Sequence, residues 1–514
     1  MLERTLRWNY MRPSRWRAAP APIVDADRSW WVAAAALLAF GASVLSGFHF
    51  DDYGMLQDRS VSSPGGWLKC WGIGQTRPLT WFSFWLNHAV AGRNAWAWHV
   101  LTVALHVACS VLLYRVLAKR IPREAAWFAA ALFAVHPIQA EAVNYVFARA
   151  IVLCAIFSLL ALDSWIADRW WQAVAWFALA VLAKEECVTL PVVLALYSAV
   201  HGSLRKRLGP LAAMFGIAAA AGIRVVAVIQ ATGMKNIGAH AGISPLGYLM
   251  EQGIAILRYF GLLVFPVFFT VDPELPASGW FWRMAAWLLL IGLIFVLCLR
   301  IRQSRAAFWL LAGLILLIPS SSVFPVADLA ADRRMYLPML AFAPAVALLI
   351  RPGKSRWTAA AIVLLALVSI NRTYVWASDR RLWGEAVALA PGKVRPRIQL
   401  ARALPPDEAL PLLAEAQRLE PEDPGPPAEM AKVYLELNRP ADALAQAGRA
   451  LALAPRDPGA LNNRGTVLAA MGQTAAARRD FVAALALDPC LEEPRRNLER
   501  FGGVPPGTSD CRSF

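Results

Sequence analysis

Two consecutive carboxylates, Asp51 and Asp52, follow the first long apolar run in the stretch Phe48-His49-Phe50-Asp51-Asp52-Tyr53. Ionised groups beside a membrane are costly and mark a functional site by default. A carboxylate here can act as general base, taking a proton from an acceptor hydroxyl. Neighbouring carboxylates raise each other's proton affinity and nearby cations oppose this, so either member of the pair is open as the base. Further along lie cations able to neutralise a departing phosphate: Arg77, Arg149, Lys184, Arg224, Arg258, Arg333 and Arg334. Together these groups suit attack on an activated, lipid-borne group. Arg77 precedes Pro78 and an aromatic stretch from Trp81 to Trp85 that serves equally as an interfacial anchor, and Arg224, inside an apolar run, can snorkel.

Other chemistries lack their residues. There is no Gly-rich phosphate loop, no Cys-x-x-Cys and no His-Glu-x-x-His, which argues against nucleotide hydrolysis and structural zinc. His99 and His106 are seven apart and can share a helix face, but lone histidines in membrane helices are more often packed than ligating. The net charge of +16 is spread as short clusters between apolar runs, the pattern of cytoplasmic loops and not of a nucleic-acid surface.

With 58% hydrophobic and 17% charged residues, the elements that position these groups are membrane helices. The N-terminal arginines precede a run too long for a signal-peptide core, so it stays as a span. Eleven spans are expected, near 29–49, 95–117, 124–141, 149–167, 170–184, 187–201, 208–230, 278–299, 306–324, 335–350 and 357–373. They place five basic clusters on one side: the N-terminus, 119–123, 205–207, 300–305 and 351–356. Segment 248–271 would reverse every later loop, so it is expected to be re-entrant or interfacial, as Arg258 and Pro266 also argue. The first outer loop is then 50–94, and Asp51/Asp52, Glu141 to Arg149, Lys184/Glu185 and Asp328 to Arg334 gather at the outer face.

Beyond the last span, Pro421, Pro455 and Pro489 recur at 34 residues, the tetratricopeptide period. Gly465, Ala477, Phe481 and Ala484 fit one repeat; Ala431, Tyr434, Ala443 and Ala450 fit the one before. Pro391 to Pro421 reads as a degenerate first repeat with its first helix shortened near Pro405-Pro406. Stacked repeats leave a groove that commonly holds extended peptide. Cys490 and Cys511 can pair if this part faces an oxidising compartment; Cys109, Cys154, Cys187 and Cys298 read as packing residues. The expected organisation is a basic N-terminus (1–28), a transmembrane domain (29–375), repeats (376–493) and a tail (494–514).

The chain resembles the membrane O-mannosyltransferases that carry C-terminal tetratricopeptide repeats, within the GT-C glycosyltransferase class. The resemblance rests on Phe50-Asp51-Asp52-Tyr53, Arg77-Pro78-Leu79 with Asn87 and Gly92, and Leu132 to Ile138 running into Glu141-Ala142-Val143. Arg149, Lys184-Glu185, Ile256 to Tyr259 with Pro266, and Asp332 to Pro338 extend it. It implies an all-α fold: a polytopic GT-C-like helical domain of about 11 spans, followed by a soluble tetratricopeptide solenoid. It also implies a polyprenyl-phosphate sugar donor and inverting transfer to a hydroxyl of a protein acceptor. The short repeat array and Arg-rich composition look bacterial, which implies an inner-membrane protein with a cytoplasmic N-terminus, periplasmic repeats and an undecaprenyl-type donor.

The expectation is therefore an inverting glycosyltransferase moving a mannose-like hexose from a polyprenyl phosphate to Ser/Thr hydroxyls of proteins held by the repeat groove. Asp51 and Asp52 are the candidate catalytic pair, with a divalent metal at the pair left open. Arg77, Glu141, Arg149, Lys184, Glu185, Arg258, Arg333, Arg334 and Tyr336 are the candidate substrate-binding set. Two rivals stand beside it: a non-enzymatic membrane scaffold for envelope proteins, and a GT-C enzyme that glycosylates lipid or polysaccharide.

Overall fold

A computed structural model describes residues 26–72, 76–232, 243–276, 279–326, 328–352, 356–501 and 503. Every regular element among them is helical. The chain divides into two compact units: residues 1–271 with 275–378, and residues 272–274 with 379–514.

The first unit is a bundle of apolar helices. Seven of the described helices are long and apolar enough to cross a membrane, from Arg28–Leu45 to Arg356–Trp376, and eight if the bent pair Arg123–Val135 and Pro137–Asn144 is one span. The eleven expected spans included runs that form shorter helices. Trp170–Ala183 has 14 residues, Leu190–Val200 has 11 and Arg305–Leu317 has 13. At 1.5 Å per residue the longest of these rises about 21 Å, short of a hydrocarbon core of about 30 Å. The segment expected to be re-entrant or interfacial forms one 20-residue helix, Pro245–Val264, capped by the Ser244 hydroxyl and outside the seven. It buries Tyr248, Gln252, Ala255, Tyr259 and Leu262, a stripe at helical spacing.

Alanines make the centre dense. From Ala125 to Val135 nearly every residue is buried, because small side chains let neighbouring helices approach closely. The Phe342 ring lies against Gly313, where a β-carbon would collide with it. At the periphery the helix Trp280–Arg300 exposes Leu288, Leu289, Ile291, Phe295 and Val296, a surface that suits lipid and would aggregate in water. The chain is an integral membrane protein.

One end of this bundle is knit by basic residues. Lys119 pairs with Asp163 at 2.8 Å and Arg207 with Asp168 at 2.5 Å, while Arg305 donates to the Arg120 carbonyl at 3.2 Å. Arg305 and Arg351 line one cavity of about 640 Å³ there. Four of the five basic clusters thus share an end, and the N-terminal one, before residue 26, lies outside the described residues.

The second unit is a tetratricopeptide solenoid. Helix pairs Gly425–Glu436/Pro440–Leu453 and Pro458–Ala470/Thr474–Leu487 are full repeats, and Glu492–Arg500 packs on the last. Upstream, Val394–Ala401 has only eight residues before Pro406–Leu419, the shortened first helix of the degenerate repeat. Small residues at Ala443, Ala450, Ala477 and Ala484 are fully buried where helices cross, and Gly465 lies under Phe481. Cys490 is disulfide-bonded; Cys511 lies outside the described residues.

Candidate active site

Two breaks in helical structure build the site. Phe50 has φ 43°, a conformation costly for a residue with a β-carbon, and it begins the helix Asp51–Gln57. Its ring is held edge-on against Tyr145 and Trp376, at centroid distances of 5.4 and 6.1 Å. Burial of Met55, Leu56 and Val61 against Phe84, Trp98 and Val146 fastens the rest of this segment to the bundle.

The second break is His136-Pro137. The ring of Pro137 bars the preceding residue from helix, so His136 is extended (φ −71°, ψ 128°) and the helix pair bends by 48°. The short helix that follows, Ala140–Asn144, carries Glu141, and the chain extends again at Tyr145 (φ −106°, ψ 114°). The phenol there meets Asp51.

The two aspartates diverge. Asp52 is fully buried and accepts from two backbone amides, His49 at 3.0 Å and Phe147 at 2.8 Å. Burial pushes its carboxyl up to about 7, against the lowering effect of those amides and of His49. Asp51 is exposed. Its Oδ2 accepts from the Tyr145 hydroxyl at 2.6 Å, and its own amide donates to the same phenolic oxygen at 3.3 Å.

Around this pair the outer-layer cations come with carboxylates. Arg77 forms a two-pronged pair with Glu185, at 2.9 and 2.5 Å. Burial raises the Glu185 carboxyl, but the Arg77 charge and hydrogen bonds bring it down to about 2. Lys184 pairs with Glu186 at 2.6 Å. Arg333 pairs with Glu141, whose other oxygen takes the Arg333 amide at 2.8 Å, and with Asp328 at 3.1 Å. Arg258 pairs with Asp332 at 2.8 Å. Arg333 lies within electrostatic reach of both Arg77 and Tyr145, and Lys184 within reach of Arg77. Asp51 is joined to Tyr145, Arg77 to Glu185 and Arg333 to Glu141 by direct contacts, and the Arg333 charge acts on both Tyr145 and Arg77.

Other candidates sit inside the packing. Arg149 is fully buried, donating to Asn87 at 2.9 Å, the Trp98 carbonyl at 3.0 Å and Thr102 at 3.2 Å, with Phe84 and Trp98 against its guanidinium. Arg334, also buried, donates to the carbonyls of Ser320, Asp328 and Leu329 and to the Tyr248 hydroxyl. The hydroxyl of fully buried Tyr336 is 2.8 Å from His106 Nδ1. Arg224 donates to the Gly72 carbonyl at 2.8 Å. Arg149, Arg334 and Tyr336 are thus spent on internal packing, while Arg224 is half-buried.

The two aspartates share no common face: each Asp52 oxygen accepts from a backbone amide, and Asp51 turns to Tyr145. No group of three or more His, Cys, Asp or Glu suited to a metal occurs among the described residues. Tyr145 and Trp376 are the participants that motif reading missed. The one available signal was the position of Tyr145, four residues after Glu141 and thus close to it on a helical turn.

A membrane helical domain with an acid–cation layer, carrying a tetratricopeptide solenoid, is the class that fold and site define. Proteins named protein O-mannosyl-transferases are among the relatives of this chain. The chain is 25% identical over 364 residues to protein O-mannosyl-transferase F38B6.6 of Caenorhabditis elegans, covering 64% of this chain and 51% of that protein. It is 23% identical over 495 residues to mouse protein O-mannosyl-transferase TMTC3, covering 78% and 52%. With mouse protein O-mannosyl-transferase TMTC2 the identity is 36% over 135 residues, covering 24% and 16%. The chain spans about half the length of the first two relatives. No family model matches it.

Proposed function

We propose that the protein is an inverting glycosyltransferase that moves a mannose-like hexose from a polyprenyl phosphate to Ser/Thr hydroxyls of a protein acceptor. The observation that carries this reading is Asp51, an exposed residue whose Oδ2 is held by the Tyr145 hydroxyl, with the Arg333 charge also acting on that phenol. The names of the relatives support the sugar and the acceptor class.

In this mechanism Asp51 takes the proton of the acceptor hydroxyl as its oxygen attacks the anomeric carbon from the face opposite the phosphate. The bond from that carbon to the phosphate oxygen breaks, and the configuration inverts. The lipid phosphate leaves as an anion. Arg77 and Arg333 neutralise it by exchanging a carboxylate partner for phosphate oxygens, since guanidinium matches either fork equally well. Asp52 holds the turn. The repeat groove raises the acceptor's effective concentration.

The reaction is assigned to the periplasmic side of a bacterial inner membrane. The gathering of the basic loops at the opposite end of the bundle supports this, as does a disulfide at Cys490, which persists outside a reducing cytoplasm.

The test supplies membranes with a panel of polyprenyl-phosphate sugars carrying radiolabel, together with envelope proteins. Labelled protein made by the wild type and absent with Asp51→Asn is the expected result. No transfer from any donor, with Asp51→Asn still complementing a deletion, would favour the scaffold; label appearing only in lipid or polysaccharide would redirect the acceptor.

A further inference from the structure

The phenol of Tyr145 makes two opposed hydrogen bonds with one residue. The Asp51 amide donates to its oxygen at 3.3 Å, so that contact uses a phenolic lone pair, and the phenolic hydrogen is left for Asp51 Oδ2 at 2.6 Å. Amide and carboxylate of Asp51 are thereby clamped by a single hydroxyl, which fixes the side chain's rotation and commits Oδ2. Oδ1, on an exposed residue, is the oxygen left to meet a substrate.

The clamp is itself rigid. Tyr145 is buried to 4% exposure, its ring stacked on Trp376 at 22° and met edge-on by Phe50 at 79°. Trp376 is also buried, and the backbone at Tyr145 is extended where the short helix Ala140–Asn144 ends. Three separate parts of the chain thus converge on the orientation of one hydroxyl.

We infer that Tyr145 is a positioning residue for the transfer reaction, orienting the Asp51 carboxylate so that Oδ1 alone receives the acceptor's proton. The inference rests on the glycosyltransferase reading. A base held by one oxygen is aligned before the acceptor arrives, and loss of that alignment slows the chemical step without changing ground-state binding.

The experiment compares wild type and Tyr145→Phe in membranes, measuring kcat, the KM for donor, the KM for a protein acceptor, and the melting temperature. Phenylalanine keeps the stacking ring and removes only the hydroxyl. The expected result is a fall in kcat of roughly 10- to 100-fold with both KM values within about twofold. If that variant melts well below the wild type, 3,5-difluorotyrosine at position 145 is measured, which keeps ring and hydroxyl and makes the phenol a stronger donor. A kcat changed more than about twofold at unchanged melting temperature then supports the inference. Unchanged kcat in a folded variant, or a loss confined to KM, overturns the inference while leaving the transferase reading intact. A wild type that transfers no sugar from any donor overturns both.

Discussion

Asp51 and Asp52 are consecutive in the chain and face opposite ways: Asp52 inward, onto the amides of His49 and Phe147, and Asp51 outward, onto the Tyr145 hydroxyl. Their asparagine variants should therefore fail differently. Asparagine at 51 still offers an oxygen to Tyr145, so Asp51→Asn is expected to melt like the wild type and to lose about 100-fold or more in kcat. Asparagine at 52 turns an NH2 toward an amide N–H, so Asp52→Asn is expected to lose about 1–3 kcal/mol of stability. Melting curves and transfer assays on both variants check this.

Asp52 also gives the protein a pH signature. Its folded value of about 7 lies above the ordinary 3.8, so between those values the folded state keeps a proton that the unfolded chain has lost. Stability from this group is full below about pH 4, falls as pH rises, and is gone above about 7. The melting temperature of the wild type minus that of Asp52→Asn should decline across that window and level off beyond it. A flat difference would contradict the burial of a titrating carboxyl here.

The Arg77–Glu185 pair separates structure from substrate. Glu185, held at about 2, stays ionised at any working pH and keeps Arg77 pointed into the layer. Arg77→Glu alone should melt early and lose donor use. The exchange Arg77→Glu/Glu185→Arg should regain most of the melting temperature without regaining donor use, if Arg77 meets the phosphate. Donor KM and melting curves on both variants decide it.

In the solenoid, a β-carbon at Gly465 would lie 2.7 Å from a Phe481 ring carbon and 3.2 Å from the Ala477 carbonyl. Gly465→Ala should cost about 1–3 kcal/mol and expose the repeats to limited proteolysis. Transfer to whole protein acceptors should then fall more than transfer to short peptides at saturating concentration, because peptides depend less on delivery.

The repeats and the membrane class were legible because both are periodic. Pro421, Pro455 and Pro489 mark one helix pair each, and apolar runs announce helices whatever their partners. The length of a span was less legible: at 170–183 and 190–200 hydropathy alone does not reveal where the helix stops, whereas the extended backbone at Lys184 does. The acid–cation layer could be anticipated as a group, but its pairings could not. Glu185 and Glu186 are adjacent, yet one serves Arg77, more than 100 residues away, and the other Lys184. The same holds for the aspartates, whose divergence depends on a positive φ at Phe50, a residue type that gives no hint of one.

Trp376 is the last residue of its helix and stands two residues before the first unit ends at Ser378. It is also a wall of the aromatic cage that holds Phe50 in its uncommon conformation and Tyr145 in place. Where the chain is cut therefore matters. A membrane fragment prepared without the repeats must run through Trp376 to keep Asp51 oriented, and one ending at residue 373, where the apolar run stops, would carry every candidate side chain of the site and lack the ring that sets their geometry.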